Sequence, residues 1–489
     1  MSIRPKIKLF GYSTIIYGFS NVLTKIVAII LIPLYTTYLT MFEVGIIALL
    51  EMIELFVITI IPVGCVNAMW RYLPGEKGLE KNKIIISTFT IMILSGIIIT
   101  GLLLLFKSSV GKVFNIPNDN NLLLFVFVSC FLRAISTFIF LLLQYNNQAF
   151  YYLILSLIQF ISLVGLTIYF IFGCNVGVIG IYYAKIIVFS TTFISTLLFL
   201  IKTIPVLPSF DLIKKILSYG LPIIPLTLLM PVLTVSDRYF LNIFVSIEEI
   251  GQYGIAYKFG LLINMLLVLP IQRSWGPQMF QAGSSLKDDK SIHEDITFYY
   301  SFIGLFFLLG LSFFSDTIIS IFANENYLSL SWLIPWISLA YFIGGFRIFF
   351  QASASLADRT DLFVKTGIYT IISNIILNYM LIKHFGIRGA AASTILSYLI
   401  LVGLLLITTK SINVIKWPIK KILHGVFIAA LLIIIFESIK DFSLNYIIIK
   451  FILLLLFPII SISTNLIGHK EINGLRSIWY SILKFSKVI

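Results

Sequence analysis

Apolar segments long enough to cross a bilayer recur along nearly the whole chain, and no other feature limits its fold as strongly. A hydrocarbon layer about 30 Å thick takes about 20 helical residues to span. Fourteen runs between polar breaks approach or exceed that length: 9–38, 44–70, 84–106, 120–143, 149–172, 178–201, 213–244, 249–281, 296–322, 329–357, 362–383, 389–409, 420–437 and 444–467. The composition agrees, with 59% hydrophobic and 11% charged residues, where soluble domains carry about 25% charged residues. The expected fold is an all-α polytopic membrane protein with about 14 transmembrane helices. The opening MSIRPKIKLFGY is basic, but no small-residue cleavage site follows. The first run is therefore expected to stay as a helix rather than leave as a signal peptide.

Lys and Arg fall unevenly in the polar breaks. With fourteen spans, Lys107, Lys112, Lys383, Arg388 and Lys440 lie on one side. The other loop and terminal bases lie opposite, among them Arg4, Lys77, Lys83, Lys214, Lys290, Lys416 and Lys484. Cytoplasmic loops hold the Lys/Arg excess, so both termini are expected in the cytoplasm. Much of the net charge of +14 is then a topology signal. It does not read as a nucleic-acid surface.

The sequence also repeats. TMFEVG at 40–45 resembles SIEEIG at 246–251, Pro62 in IIPVG parallels Pro270 in VLPIQ, and GVIG at 177–180 resembles GIRG at 386–389. The matches keep a near-constant offset and point to a duplicated six-helix unit. An even number of helices per unit keeps both in one orientation, a parallel repeat. The expected organisation is a lobe of helices 1–6 in 1–201, a linker at 202–215, and a lobe of helices 7–12 in 216–409. Two further spans, helices 13–14, occupy 410–467, and a cytoplasmic tail takes 468–489. Transporters built this way hold substrate between the halves near the bilayer midplane.

Charges inside the spans narrow the function. Lys365 and Lys450 lie near span ends and are expected to snorkel to the interface. Lys25, Arg133, Lys185, Arg238, Lys258, Arg273 and Arg347 lie deeper, against the acids Glu51, Glu54 and Asp237. A basic residue facing lipid at mid-helix costs roughly 2.5–3.5 kcal/mol, so most of these are expected to face protein or a water-filled cavity. Glu51, Glu54 and Lys25 read equally well as plain interhelical ion pairs. The unmatched bases are harder to explain that way, because a buried cation without a partner is expensive. A cavity that keeps a positive surplus suits an anion such as a phosphate or pyrophosphate, and makes these bases, with Asp237, the candidate substrate-binding residues. Glu51, Glu54 and Asp237 are the candidates for coupling to a proton or sodium ion.

Asp237 and Arg238 are helix neighbours pointing about 100° apart, so each is expected to find a partner on another helix or in water. Pro222, Pro225 and Pro231 interrupt the same span, and proline-broken spans mark a transporter's site or moving element. Lys258 and Arg273, fifteen residues apart, would share one face of a regular helix at two depths. The aromatic residues read mostly as core and interface belt.

Other chemistry is missing from the sequence. No G-x-x-x-x-G-K-[ST], G-x-S-x-G or H-E-x-x-H occurs, and His293, His384, His424 and His469 lack ligand spacing. No loop is long enough for a soluble catalytic domain. Cys65, Cys130 and Cys174 lie in or beside apolar runs and imply no disulfide framework. No resident cofactor or metal and no enzymatic activity are expected.

Two stretches carry a resemblance. SDRYFLNIFVSIEEIGQYGIAYKFGLLINMLLVLPIQRSWGPQMF at 236–280 resembles the helix 7–8 region of bacterial polysaccharide-unit flippases. GYSTIIYGFSNVLTKIVAIILIPLYTTYLTMFEVG at 11–45 resembles their first helix and turn. These flippases belong to the multidrug/oligosaccharidyl-lipid/polysaccharide exporter (MOP) superfamily. The resemblance implies twelve core helices in two lobes plus two extra helices, with alternating access around a cationic cavity in the bacterial plasma membrane. It implies a polyprenyl-pyrophosphate-linked oligosaccharide as substrate, moved from the cytoplasmic to the outer leaflet for O-antigen, capsule or a related glycan. A polysaccharide polymerase and glycosyltransferases are the implied partners. Asp237 and Arg238 match the polar pair of the family's helix 7. Two alternatives stand beside this one. A multidrug or small-solute antiporter of the same superfamily would favour an acidic cavity, and a membrane-embedded glycan polymerase a long extracytoplasmic loop.

Overall fold

A computed structural model describes residues 26–117, 121–272, 290–356, 361–410, 417–439 and 446–466, with 359 and 468. Every regular element among them is helical. The chain runs through α1 (Ile32–Tyr38), α2 (Met41–Ile60), α3 (Cys65–Tyr72), α4 (Gly78–Leu105), α5 (Lys107–Val113) and α6 (Leu122–Tyr145). Next come α7 (Ala149–Ile168), α8 (Ile179–Thr203), α9 (Phe210–Gly220), α10 (Ile224–Phe244) and α11 (Ile247–Gly260). The later helices are α12 (Lys290–Phe313), α13 (Ser315–Phe322), α14 (Leu333–Gly345), α15 (Arg347–Leu356), α16 (Asp361–Thr409), α17 (Ile419–Ile439) and α18 (Tyr446–Ser463).

Eleven stretches among the described residues are long and apolar enough to cross a membrane. One of them, Leu362–Thr409, is two helices joined at Gly386, whose φ of 54° and ψ of −130° are not helical. Two shorter apolar helices, Ile26–Tyr38 and Ile447–Ser463, fall within the first and last expected spans. Each of the fourteen runs thus coincides with a described helix, and the chain is an all-α, multi-pass membrane protein.

Prolines set the interruptions. Pro62 has no N–H to continue α2, and Gly64, at φ 71°, turns the chain into α3. Between α9 and α10 the 3₁₀ turn Leu221–Ile223 holds Pro222, Pro225 sits in the first turn of α10, and Pro231 lies inside it. After α11 a π-helical segment, Asn264–Val268, precedes Pro270, widening the turn that the proline ring would otherwise crowd.

Local structure repeats along with the sequence. Thr40 Oγ1 accepts from the Glu43 N–H at 3.2 Å, and the Glu43 carboxylate accepts from the Thr40 N–H at 2.9 Å. Ser246 and Glu249 make the same reciprocal pair at 3.2 and 3.0 Å. This is the capping box that S/T-x-x-E favours at a helix start. Gly177 and Gly386 both take positive φ, 64° and 54°. The two capped helix starts also meet. A Cβ on Gly45 would overlap the Ile247 carbonyl, and one on Gly251 would lie 2.5 Å from the Met41 carbonyl oxygen. Residues 41 and 45 correspond to 247 and 251 in the repeat, so the close approach is reciprocal.

The described residues gather into two compact units. One holds those up to Lys258 with Phe322–Tyr327 and Gly367–Ser397; the other holds Phe259–Ile321, Leu328–Thr366 and those from Tyr398 onward. In the first, α3, α4, α6 and α9 close on a core that includes Cys65, Met69, Met92, Phe138 and Ile216. Of the most apolar 18-residue stretch in Met41–Tyr72, 67% of residues are buried, against 17% in Ala149–Gly173, so α2 is an interior helix and α7 a peripheral one. In the second unit α12 packs against α14, α17 and α18. Tyr300 stacks on Phe342 at 5.5 Å and donates to its carbonyl at 2.6 Å.

Lys450 departs from the sequence expectation. It does not snorkel: it is fully buried, donating to Asp316 Oδ1 at 2.6 Å and Thr317 Oγ1 at 2.9 Å. Asp316 sits at the start of α13, inside the expected span 296–322, an intramembrane acid that the sequence reading had not counted.

Candidate functional site

The middle of α2 presents Glu51 and Glu54, three residues apart and close to one face. Glu54 Oε1 accepts from Lys185 Nζ on α8 at 2.5 Å, and its Oε2 accepts from Arg133 Nη1 on α6 at 3.3 Å. Glu51 Oε1 accepts from Lys258 Nζ on α11 at 2.8 Å. Its carboxylate also lies in the field of Arg238 and Lys185. Measured along their helices, these residues stand roughly 10–20 Å from the ends on the base-poor side. Several helices therefore place charge in the middle third of a hydrocarbon layer about 30 Å thick. The Glu54 and Lys185 side chains are 4% and 13% exposed, yet Arg133 is 47% exposed. A half-exposed guanidinium at mid-span points to water rather than lipid, given what lipid exposure costs.

Asp237 and Arg238 use different partners. Asp237 Oδ1 accepts from the backbone N–H of Arg238 at 2.8 Å, and its Oδ2 accepts from the Tyr253 hydroxyl at 2.5 Å. The Arg238 guanidinium lies 4.7 Å from the centre of the Tyr257 ring, and its Nη1 donates to the Thr234 carbonyl at 3.4 Å. Nη1 stays 3.9 Å from Asp237 Oδ1. Arg238 Nε is buried with no hydrogen-bond partner among the described residues, where a satisfied site would hold an acceptor. Within the cluster Arg133, Lys185, Arg238 and Lys258 outnumber Glu51, Glu54 and Asp237 by one.

Sequence reasoning missed the tyrosines. Tyr182 lies under Lys185 Nζ at 4.5 Å, and Tyr35 is 5.7 Å from Lys258 Nζ. All four rings had read as core or belt. The available signal was spacing: Tyr253 and Tyr257 stand at i and i+4 beside Lys258, so they share a face of α11.

A neutral network starts one residue before Asp237. Ser236 Oγ donates to Asn374 Oδ1 at 2.8 Å and accepts from Asn378 Nδ2 at 3.1 Å. Asn374 Nδ2 donates to Ser397 Oγ at 2.9 Å, and Ser393 donates to Asn378 Oδ1. These groups satisfy one another and tie α10 to both arms of α16.

Arg347 belongs to the second unit, where its Nη2 donates to Gln272 Oε1 at 3.3 Å. Lys25 and Arg273 fall outside the described residues. Among the described residues no group of three His, Cys, Asp or Glu is placed to hold a metal ion.

Residues 10–283, more than half of the chain, match a family model described as polysaccharide biosynthesis protein. The chain belongs to that family. Over 167 residues this polysaccharide biosynthesis protein is 26% identical to the probable low-salt glycan biosynthesis flippase Agl15 of Haloferax volcanii, covering 33% of this chain. The match spans about a third (34%) of that relative's length. Its fold is similar to that of the lipid II flippase MurJ in an inward closed conformation, with a TM-score of 0.70 and 20% identity over 95% of this chain and 99% of that one. It is also similar to an inward-facing multidrug resistance MATE family transporter of the MOP superfamily, with a TM-score of 0.64 and 14% identity over 80% and 95% of the two chains. The family and the fold agree with the resemblance carried by 11–45 and 236–280.

Proposed function

We propose that this protein is a flippase that moves polyprenyl-pyrophosphate-linked oligosaccharides from the cytoplasmic to the outer leaflet of a plasma membrane by alternating access. One observation carries the reading: Arg238 is buried on the Tyr257 ring with its Nε unpartnered, in a mid-membrane cluster with one base in surplus. Such a site offers charge and a free donor to an anion, and a pyrophosphate is the anion that a lipid-linked glycan carries. The polysaccharide biosynthesis family and the flippase relative support the substrate class. A cation-coupled drug antiporter would need the opposite surplus. The protein acts as a transporter rather than a catalyst, organised as two parallel six-helix lobes with both termini cytoplasmic, and serves glycosyltransferases upstream and a polymerase downstream.

The test is Arg238→Gln, read as surface glycan and protein abundance together. Export should fall to near zero with abundance nearly normal, and Arg238→Lys should retain more function, though less than Arg if the contact is bidentate. Normal export at normal abundance in Arg238→Gln would remove the anion site from this position.

A further inference from the structure

The base-rich face carries a second group of cations that the transport site does not use. Arg71 lies 4.5 Å from the centre of the Tyr219 ring and 5.9 Å from that of Tyr72. Lys215 lies 4.5 Å from the Tyr72 ring, and Lys81 lies 4.8 Å from the Tyr145 ring. Tyr72 and Tyr219 pack edge to face at 5.8 Å, and Trp70 lies 6.1 Å from Tyr145. Among the described residues none of the three cations is in an ion pair; nearby Glu80 is taken by Lys83 at 2.8 Å.

The fold explains the assembly. Arg71 and Tyr72 end the span Met41–Tyr72, Tyr145 ends Leu122–Tyr145, and Lys81 lies in the first turn of Gly78–Leu105. Span ends set the group at headgroup depth, where tyrosines favour the membrane interface. α9 brings the rest. Its Ile216 is buried in the core with Leu212, Ile213 and Leu217 packed against it, while Lys214 and Lys215 stay exposed. The backbone of Gly220 is held against the Val63–Gly64 bend, since a Cβ on Gly220 would lie 2.6 Å from the Val63 carbonyl oxygen. That contact fixes Tyr219 and Lys215 beside Arg71 and Tyr72. Just before α9 and at its first residue, Leu207 and Phe210 are 85% and 79% exposed. Large apolar side chains held out beside a basic helix suit insertion at the acyl boundary.

We propose that Arg71, Lys81 and Lys215, held on Tyr72, Tyr145 and Tyr219, bind the phosphate of an anionic phospholipid headgroup in the leaflet at this face. The charge is what selects the occupant. Three cations seated on π faces keep their full charge, and at this depth the available counter-ion is a lipid phosphate. Bound there, the lipid ties α9 to the ends of α3 and α4.

The full-length protein in detergent is titrated with phosphatidylglycerol and, separately, phosphatidylcholine, with binding read by native mass spectrometry and by the rise in melting temperature. Arg71→Gln/Lys215→Gln should weaken phosphatidylglycerol binding about 30-fold at low salt, from roughly fivefold per interfacial cation. Phosphatidylcholine binding and the lipid-free melting temperature should not change. Lys214→Gln removes a base from the same helix that rests on no ring, and should change affinity by less than the single Lys215→Gln. Equal binding by the double variant and the wild type would overturn the site, and so would equal losses from Lys214→Gln and Lys215→Gln, which would reduce it to a diffuse surface charge. Competition by inorganic phosphate without any preference for phosphatidylglycerol over phosphatidylcholine would overturn the lipid as occupant.

Discussion

Glu54 offers the sharpest test of how the cluster is held, because one buried carboxylate serves two bases. Glu54→Gln keeps the shape and removes the charge. The Arg133 contact contributes little, since that side chain is 47% exposed and exposed pairs are worth about 0–1 kcal/mol. The Lys185 contact is another matter, with side chains 13% and 4% exposed and a 2.5 Å separation. Breaking a buried pair from one side costs about 3–5 kcal/mol, because the partner charge is left uncompensated. The amide oxygen of Gln still accepts one hydrogen bond from Lys185, which brings the expected loss toward the lower end, about 3 kcal/mol. Against a total stability of about 5–15 kcal/mol, the variant should fold but melt well below the wild type. Lys185→Gln added to Glu54→Gln removes the stranded charge and should recover most of the difference. Melting temperature in detergent and abundance in the membrane give the ordering: wild type, then double variant, then single. A single variant as stable as the wild type, or a double variant below the single, would refute the claim that this pair is charge-compensated in a dry site.

Other expectations follow from single contacts. Gly251→Ala places a methyl 2.5 Å from the Met41 carbonyl oxygen and should cost about 1–3 kcal/mol as overpacking. Gly165→Ala, with nothing within 4 Å, should leave the melting temperature unchanged or slightly higher. In the second unit, Asp316→Asn should destabilise more than Lys450→Met. The first strands a lysine that is 0% exposed, whereas the second leaves an aspartate that is 40% exposed and can hydrate; equal melting temperatures would contradict this. Reporter fusions after Lys112 and Lys383 should read extracytoplasmic and one after Lys290 cytoplasmic, and a reversed reading at any of them would break the proposed topology.

The helices were legible because lipid simplifies the reading. A run such as 84–106 has no soluble alternative at that length, and the structure puts α4 across it. A break was legible between Lys383 and Gly389, where Gly386 forces it, whereas the bend at Pro62 and Gly64 lies inside the expected span 44–70 and was not read from the sequence. Partners were not. Glu54 was visible as an intramembrane acid, but its choice of Lys185 and Arg133 depends on which faces of α6 and α8 turn inward, and hydropathy does not rank the faces of such largely apolar helices. Lys450 was misread for the same reason. Its distance from the helix end suggested snorkelling, while its burial is decided by the placing of Asp316, more than a hundred residues away in sequence. The π segment after α11 has a cause in Pro270, yet its width is a packing outcome that hydropathy does not encode.

The tyrosines change what the cluster can do. A cation held by a carboxylate is neutralised, and a site built that way would present no net field to a ligand. A cation over a ring gains about 0.5–2 kcal/mol and keeps its charge. Arg238 shows the difference within one residue pair. Asp237 is close enough to neutralise it, but spends its oxygens on the Arg238 backbone N–H and on Tyr253, so the guanidinium rests on Tyr257 with Nε unmet. The carboxylate thus fixes the backbone and the ring that carry the arginine, and at 3.9 Å it offsets the guanidinium charge only in part, without a direct hydrogen bond. Arg71, Lys81 and Lys215 are held by rings in the same manner at the membrane interface. In both places the aromatic partner stabilises a cation without cancelling it, which is what the two proposed phosphate sites would need.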